Sequence, residues 1–308
     1  MTAVEPHPAL TSADVEAAWC ERTPAPIRAY VEGGAGGNST VAGNADAFSS
    51  VWLTPRGVRT GADEPDTATT LLGHVLASPV VLAPTSPQRL LHPDAELAVA
   101  RAATARGVLS VVSTDTHHRF PDIAAASPGL SWFQLYGYRS REHVAETVAY
   151  AERGGASAPV VTVDASDSAR RVSTWRAGFR LPDDVDYGTL RDVGVLDGAA
   201  PASGRLDRLP VTWADIARLR ALTSLPLLVK GVLRPEDAGR CVALALGADA
   251  VCLGRPYRWG LGLDGERGVG QVLDLVDAEP RDCLRQLGVA TTADLDRSFL
   301  TPARPVLT

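Results

Sequence analysis

The range Leu225–Val232 reads Leu-Pro-Leu-Leu-Val-Lys-Gly-Val, an apolar run that ends in a lysine and a glycine. After one intervening segment, Gly247–Pro256 reads Gly-Ala-Asp-Ala-Val-Cys-Leu-Gly-Arg-Pro and ends in a glycine and an arginine. Continuous apolar runs of this kind predict strands of a parallel sheet that is buried on both faces. Each predicted strand therefore carries a positive charge to the carboxyl edge of the sheet.

The same pattern extends upstream of these two runs. Short apolar runs alternate with amphipathic segments, which indicates parallel βα units. The six predicted strands are Pro79–Ala83, Val108–Ser113, Leu130–Leu135, Val160–Asp164, Leu225–Lys230 and Ala250–Leu253. The predicted helices include Ser12–Arg22 with Ser12 as N-cap, Ala95–Ala105, Arg141–Gly154, Trp213–Leu222 and Pro235–Leu246. These elements predict an α/β fold.

Composition excludes several classes of protein. With 308 residues the chain is long enough to bury a sizeable core, and its 45% hydrophobic and 21% charged content is ordinary for a globular protein. The net charge of −6 argues against nucleic acid as a partner. We also expect no membrane span, secretory signal or metal site. The four separated cysteines suggest reduced thiols in a cytoplasmic protein.

We divide the chain into three parts. Residues 1–60 are expected to form an N-terminal helical segment, 61–276 a βα barrel, and 277–308 a C-terminal helix and tail. Residues 176–209 form a long irregular segment inside the barrel. Such a segment is an active-site lid, a disordered stretch or a wrong assignment.

Several motifs together resemble one known family. Tyr30 precedes a glycine-alanine-rich run, followed by Asn44, Ala47-Phe48 and Pro55-Arg56. Further along the chain come Ala83–Ser86, Trp132–Tyr136, Thr162–Asp164 and the arginine pair at 170–171. Over residues 14–288 the chain resembles the FMN-dependent 2-hydroxy acid oxidase and dehydrogenase family, which includes glycolate oxidase, lactate oxidase and mandelate dehydrogenase. The resemblance implies a TIM-barrel-like fold, here reduced to about six recognisable strands, with the active site at the carboxyl ends of the strands.

The resemblance also implies roles for individual residues. Tyr30 and Arg171 would bind the carboxylate of a small hydroxy acid, Tyr136 would polarise the substrate, and Asp164 would lie beside the catalytic base. A guanidinium suits a carboxylate because it offers paired donors. The residues implied for the FMN site are Pro84, Thr85, Ser86, Ser113, Gln134, Thr162, Lys230, Gly254 and Arg255.

One part of the family pattern has no counterpart in the sequence. After Lys230 the family continues into a strand that ends in the catalytic His-Gly pair and a second carboxylate-binding arginine. A further strand with an Asp-Gly-Gly phosphate motif follows. Here the helix that follows the Lys230 strand joins directly to the helix that precedes the Gly254 strand. About two βα units of ~30 residues each are therefore absent. His118, with Asp115 nearby, is the candidate for a recruited base, although a solvent or lid position is the alternative.

Three functions remain compatible with the sequence. The first is an FMN-dependent oxidoreductase of the 2-hydroxy acid type, altered by loss of the histidine. The second is a non-catalytic relative that acts as a binding or partner subunit, and the third is a flavin-dependent isomerase-type enzyme. The six strands would close tightly, stay open at an edge, or be completed by another chain; the family suggests a homo-oligomer.

Overall fold

The computed structural model describes residues 9–55, 64–165, 169–204, 206–232 and 248–302. Six parallel strands form one sheet: β4 Val80–Leu82, β5 Leu109–Ser113, β6 Ser131–Leu135, β7 Pro159–Thr162, β8 Leu228–Lys230 and β9 Val251–Leu253. Their order across the sheet is β8-β7-β6-β5-β4-β9. All six strands predicted from the sequence are therefore present, and the parallel α/β fold is confirmed.

The helices cover the outer face of the sheet and its N-terminal side. Their bounds are α1 Ser12–Arg22, α2 Ala25–Glu32, α3 Ser39–Ser49, α4 Ala95–Thr104, α5 Phe120–Ala126, α6 Arg141–Arg153, α7 Val172–Arg176, α8 Gly188–Asp192, α9 Trp213–Leu222 and α10 Arg255–Leu287. The N-cap of α1 is Thr11 rather than Ser12, because the Thr11 and Asp14 side chains form a reciprocal capping box. The predicted helix Pro235–Leu246 lies outside the described residues.

The six-stranded sheet is open. In the described part of the chain, β8 pairs only with β7, and β9 pairs only with β4, so these two strands are its edges. The side chain of Val251 on β9 is 60% exposed. The six described strands therefore do not close tightly into a barrel.

Alternation along the strands separates two apolar clusters. On the inner face, Val81, Val111, Trp132 and Val160 belong to one cluster, with Leu228 of β8 packed against it. The opposite face of β5, β6 and β7 packs against helices α5, α6 and α9. Residues of like parity at the strand ends therefore lie above the inner cluster, and this placement positions the candidate site.

The long segment predicted between residues 176 and 209 is well packed. It contains the short helix α8. Leu181, Val185, Tyr187 and Leu190 of this segment are buried in one apolar cluster, together with Leu90 and Tyr138. The backbone N–H of Gly188 donates to the His117 carbonyl at 3.0 Å, which fixes this segment over the loop after β5. It covers the carboxyl edge of the sheet like a lid, and its packing is that of an ordered element.

The C-terminal part returns to the N-terminal part. Helix α10 is interrupted at Asp264 and Gly265, whose backbone angles are not helical. It continues through residue 277, so the boundary drawn at 276 falls inside a helix. The short strand β10, Leu300–Pro302, pairs antiparallel with β1, Val51–Leu53. Strands β2, Thr69–Leu71, and β3, His74–Leu76, form another two-stranded antiparallel sheet. Over the described ranges, none of the helices has the length and apolar character that crossing a membrane requires.

Candidate active site

Polar residues meet at the carboxyl ends of four adjacent strands. The register places Ser113 beside Gln134 and Thr162 beside Lys230. Gln134 pairs with Val160, two residues before Thr162, so all four side chains share the parity of the inner cluster. The Ser113 hydroxyl donates to Oε1 of Gln134 at 3.0 Å. These residues, predicted separately, form one polar layer above the inner apolar cluster.

Two atoms of this layer have unmet hydrogen-bonding capacity. Gln134 is fully buried and Thr162 is 4% exposed. Neither Nε2 of Gln134 nor Oγ1 of Thr162 has a partner among the described residues. A buried polar atom without a partner costs about 1–3 kcal/mol, so such atoms usually have a ligand or water to contact. Two orphaned groups at adjacent strand ends fit a polar, planar ring placed across them.

The turn after β4 forms a second wall. Its residues Pro84, Thr85 and Ser86 line a cavity of about 270 Å³ together with Ser113. Oγ1 of Thr85 lies 2.5 Å from the hydroxyl oxygen of Tyr257, and the Ser86 hydroxyl donates to the Asp115 carbonyl. Since side-chain bonds hold this turn to α10 and to the loop after β5, its shape is fixed before any ligand arrives.

Tyr30 and Arg171 lie at the mouth of the site. Both line the 270 Å³ cavity and a neighbouring cavity of about 310 Å³. The Arg171 guanidinium stacks 4.8 Å from the centre of the Tyr30 ring, and its Nη2 donates to the carbonyls of Tyr30 and Gly33. Burial raises the pKa of Tyr30. The described structure provides main-chain acceptors for this guanidinium and no carboxylate, which leaves its charge available to an acid.

Tyr136 is held in the same cavity by an arginine that the sequence did not indicate. The Arg208 guanidinium carbon lies 3.5 Å from the centre of the Tyr136 ring. Arg208 pairs with Asp115 at 2.9 Å, and Asp115 also accepts the Tyr138 hydroxyl at 2.6 Å. Burial raises the pKa of Tyr136 to about 12, with Arg208 opposing the shift. Tyr136 therefore keeps its proton at neutral pH and serves as a hydrogen-bond donor.

Asp164 faces the second cavity and contacts Lys230. Nζ of Lys230 lies 3.4 Å from Oδ1 of Asp164, and both side chains are about 40% exposed. Gly231 allows this approach: its φ is +101°, and a Cβ there would lie 2.5 Å from the Asp164 carboxyl carbon. Gly231, the residue that follows β8, is thus required for the position of Asp164.

Gly254 and Arg255 stand at the start of α10, outside the residues that line the two cavities. Arg255 forms an ion pair with Glu32, with 3.2 Å between Nε and Oε2, and is 40% exposed. A guanidinium at a helix N-terminus suits a phosphate. A phosphate that bound here would compete with Glu32 for the guanidinium.

The structure does not bring His118 to either cavity. Its ring packs edge-on against His117 at 4.9 Å, and its backbone N–H lies 3.4 Å from the buried carboxylate of Glu96. Asp115, which was expected to orient it, instead binds Tyr138 and Arg208. Burial lowers the pKa of both histidines. No cluster of potential metal ligands occurs in the described ranges.

Sequence reasoning also missed Arg258, which lines the cavity with Arg171 and Arg208. A signal was present in the helical spacing. Leu261 lies three residues further on and is fully buried, so Arg258 falls on the buried face of α10. Arg208 had no comparable signal, because it lies in an irregular segment.

Comparison with known proteins accounts for this arrangement. Residues 20–244 and 242–302 match the FMN-dependent dehydrogenase family. The chain belongs to this family. It is 35% identical to an L-lactate oxidase of Alicycliphilus denitrificans over 89% of this chain and 92% of that protein. It is 30% identical to spinach (Spinacia oleracea) glycolate oxidase over 93% and 94%, respectively. The family uses FMN, and the residues of the polar layer fit that cofactor.

Solved structures agree with the fold. A mandelate oxidase superimposes with a TM-score of 0.87 at 30% identity, covering 97% of this chain and all of that one. The same enzyme with benzoyl-formic acid gives a TM-score of 0.85. The fold is thus that of a 2-hydroxy acid oxidase.

The alignments also contain a length difference. The lactate oxidase alignment has 338 positions. It includes 89% of the 308 residues of this chain, which is about 274 residues. About 64 positions therefore have no residue of this chain. The two family matches meet at residues 242–244, between β8 and β9.

Proposed function

We propose that this chain oxidises a small 2-hydroxy acid with FMN. In this proposal Arg171 and Tyr30 bind the carboxylate, and Asp164 receives the proton of the substrate hydroxyl. The observation that carries the proposal is the shared cavity. Tyr30, Tyr136 and Arg171 line it together with the turn Pro84–Ser86 and Ser113, above the two orphaned polar atoms of the sheet.

The charge of the cavity supports an acid as the substrate. Arg171 reaches the cavity with its guanidinium held only by carbonyl oxygens, so a bound carboxylate would be its counter-ion. Charge-assisted, paired hydrogen bonds give such a complex both affinity and orientation. The Tyr30 ring, stacked on the guanidinium and on Phe179, keeps the arginine from swinging away.

Tyr136 supports a polarising role. Since its pKa of about 12 keeps the hydroxyl protonated, it donates a hydrogen bond to an oxygen at the reacting carbon. The stacked Arg208 fixes the ring and adds positive charge behind it.

The proton acceptor follows from the carboxylates that face the cavities. Among the described lining residues only Asp115 and Asp164 are carboxylates, and no histidine is present. Asp115 is occupied by Tyr138 and Arg208, whereas among the described residues the one partner of Asp164 is Lys230, at 3.4 Å. Asp164 is therefore the carboxylate best placed to accept a proton.

FMN would supply the hydride acceptor when bound. Gln134, Thr162 and Lys230 would hold it at the strand ends, with Arg255 toward its phosphate. Lys230 would contribute positive charge, which is how proteins tune such a cofactor. The alignment lengths support the prediction that this chain has about two βα units fewer than its family. In this proposal Asp164 takes the place of the family histidine.

A non-catalytic relative is the second candidate. The absence of histidine from the described cavity linings favours it, because general base catalysis contributes about 10²–10⁴-fold. The two candidates differ in whether the bound cofactor is reduced.

The deciding experiment is anaerobic titration of purified protein loaded with FMN. We expect a flavin spectrum that bleaches on addition of at least one 2-hydroxy acid from a set that contains glycolate, lactate, mandelate and the dicarboxylic malate. A flavin spectrum that none of these acids bleaches would favour the non-catalytic relative. Protein that takes up no FMN would contradict the proposed function directly. Bleaching without the acid, or equal bleaching by simple alcohols, would contradict the carboxylate site.

Two further properties stay proposals from the sequence. We propose a cytoplasmic location, from the cysteine usage, and a homo-oligomer, from the family. Size-exclusion chromatography with light scattering tests the latter.

A further inference from the structure

Arg258 stands in the first turn of α10 and is 7% exposed. Its side chain lines the 270 Å³ cavity that also holds Arg171 and Arg208. Neither Nε nor Nη2 of Arg258 has a hydrogen-bond partner among the described residues. A buried guanidinium is costly unless it is paired, so a cavity-lining arginine with two unpaired donor atoms indicates a ligand.

The charges around the cavity do not balance. Asp115 neutralises Arg208 at 2.9 Å. Glu32, the last residue of α2, is a carboxylate whose charge acts on Arg258, but it is already engaged by Arg255 at 3.2 Å and by Nε1 of Trp259 at 2.7 Å. In the described residues no ion pair joins Arg258 or Arg171 to a carboxylate. The cavity therefore keeps two uncompensated positive charges.

We propose that the substrate of this site is a dianion, a small 2-hydroxy acid with a second acidic group, whose two acidic groups bind Arg171 and Arg258. This inference rests on the proposed function and specifies its substrate class. Arg171 takes the carboxylate next to the hydroxyl-bearing carbon. Arg258 takes the second acidic group at the α10 side of the cavity.

Two features support separate roles for the two arginines. Arg171 is fixed from the N-terminal side by the carbonyls of Tyr30 and Gly33. Arg258 comes from α10, next to Tyr257, whose hydroxyl is bound to the turn after β4. The two guanidiniums thus reach the cavity from different walls. A ligand with acidic groups at both ends matches this placement better than a single carboxylate does.

The test is calorimetric binding of two unreactive acids of equal length, succinate and butyrate, to the FMN-loaded protein. The visible flavin spectrum is recorded in parallel. We expect succinate to bind at least about tenfold more tightly than butyrate, since it gains a charge-assisted contact. Arg258→Leu should remove this preference by weakening succinate far more than butyrate, while Arg258→Lys should retain part of it. Arg267→Leu, which removes an 86% exposed arginine, is the matched control and should change neither affinity.

The remaining outcomes overturn the inference in distinguishable ways. Equal binding of succinate and butyrate to the unmodified protein contradicts the dianion alone. An Arg258→Leu variant that weakens both acids equally shows that Arg258 binds the same carboxylate as Arg171. If neither acid binds, the carboxylate site of the proposed function fails as well. Circular dichroism and FMN content establish that each variant is folded.

Discussion

At the scale of single residues, burial without a partner is the most informative property of this site. Gln134 is fully buried, and its amide nitrogen has no described partner. The side chain thus costs stability in the free protein and would regain it with a ligand. Removal of this side chain is therefore expected to lower cofactor affinity while leaving the stability of the cofactor-free protein little changed.

Gln134→Leu tests this expectation. We expect FMN affinity to fall by about tenfold or more, because one hydrogen bond to the cofactor is lost. The free energy of unfolding of the cofactor-free protein should change by less than about 1 kcal/mol, since removal of the buried unpaired amide offsets loss of the hydrogen bond from Ser113. Fluorescence titration with FMN and urea denaturation measure the two quantities. A variant that loses stability while keeping its FMN affinity would assign Gln134 a purely structural role.

Asp164 and His118 are the two competing proton acceptors. We expect Asp164→Asn to slow anaerobic flavin bleaching by about 10²-fold or more while carboxylate binding persists. His118→Ala should leave bleaching unchanged, because the ring lies outside both cavities. Stopped-flow absorbance gives the rates. The reverse result would restore the sequence-based hypothesis of a recruited histidine.

His117 makes a specific prediction of pH dependence. Burial lowers its pKa, and its Nδ1 accepts the Asp186 N–H at 3.0 Å, which requires the unprotonated ring nitrogen. The unfolded chain then takes up a proton first, near pH 6.5. The stabilising contribution is therefore present above about pH 6.5 and is lost as pH falls through the lower folded-state pKa.

His117→Asn should flatten this part of the stability profile. The asparagine oxygen can accept the same N–H but does not titrate. Urea midpoints at a series of pH values between 7.5 and 5 compare the two proteins. Identical slopes would show that His117 is free to protonate in the folded state.

At the scale of elements, α9 illustrates how a local sequence motif fixes the start of a helix and also connects it to a neighbouring helix, α6. Thr212 and Asp215 form a capping box at its start. Oδ1 of Asp215 also accepts Nε of Arg141, the first residue of α6, at 2.5 Å. Together Arg141 and Thr212 hold the pKa of Asp215 below its usual range.

Thr212→Ala should lower the free energy of unfolding by about 1 kcal/mol, because a backbone N–H at the helix start loses its acceptor. Thr40→Ala, an exposed threonine in α3, is the control and should change it by less than about 0.5 kcal/mol. Thermal or urea denaturation provides both values. Equal effects would mean that the cap contributes nothing beyond helix propensity.

The sequence predicted the elements better than it predicted the site. Each of the six strands is a continuous apolar run, and α9 matches the prediction from Trp213 to Leu222 because its start is marked by a cap. The first helix has the predicted bounds, but its N-cap is Thr11 and not Ser12, since Thr11 has the acidic partner at the right spacing and Ser12 does not. Arg208 acts through Asp115, 93 residues away in sequence, and no local pattern encodes such a contact. Sequence likewise did not distinguish His118 from Asp164 as the base, because that depends on which side chains face the cavity.

At the scale of the whole molecule, the open sheet exposes an edge that a closed barrel would cover. Cys252 on β9 is exposed, whereas Cys20 is partly buried against the α1 and α10 cluster. We expect a maleimide to label Cys252 before Cys20 in the native protein. Although the residue is exposed, partial desolvation of its sulfur raises the pKa of Cys252, so labelling should increase with pH.

Peptide mass spectrometry locates the label, and Cys252→Ser is the control for its assignment. Labelling of Cys252 only after denaturation would show that the edge is covered in solution. Protection by added partner chains or at high protein concentration would identify an association surface, because unpaired strand edges are prone to pair.

Because β8 is an edge strand of the described sheet, solvent weakens the electrostatic interaction of Lys230 with an anion. Nζ of Lys230 belongs to a side chain that is 41% exposed, so water surrounds much of its charge. Two unit charges 4 Å apart attract by about 1 kcal/mol in water and about 4 kcal/mol at the surface of a protein. An anion beside this ammonium is consequently held through a medium that weakens the field, and mobile salt ions weaken it further. Retention of the coenzyme should therefore decline as ionic strength increases, far more than in a sealed barrel.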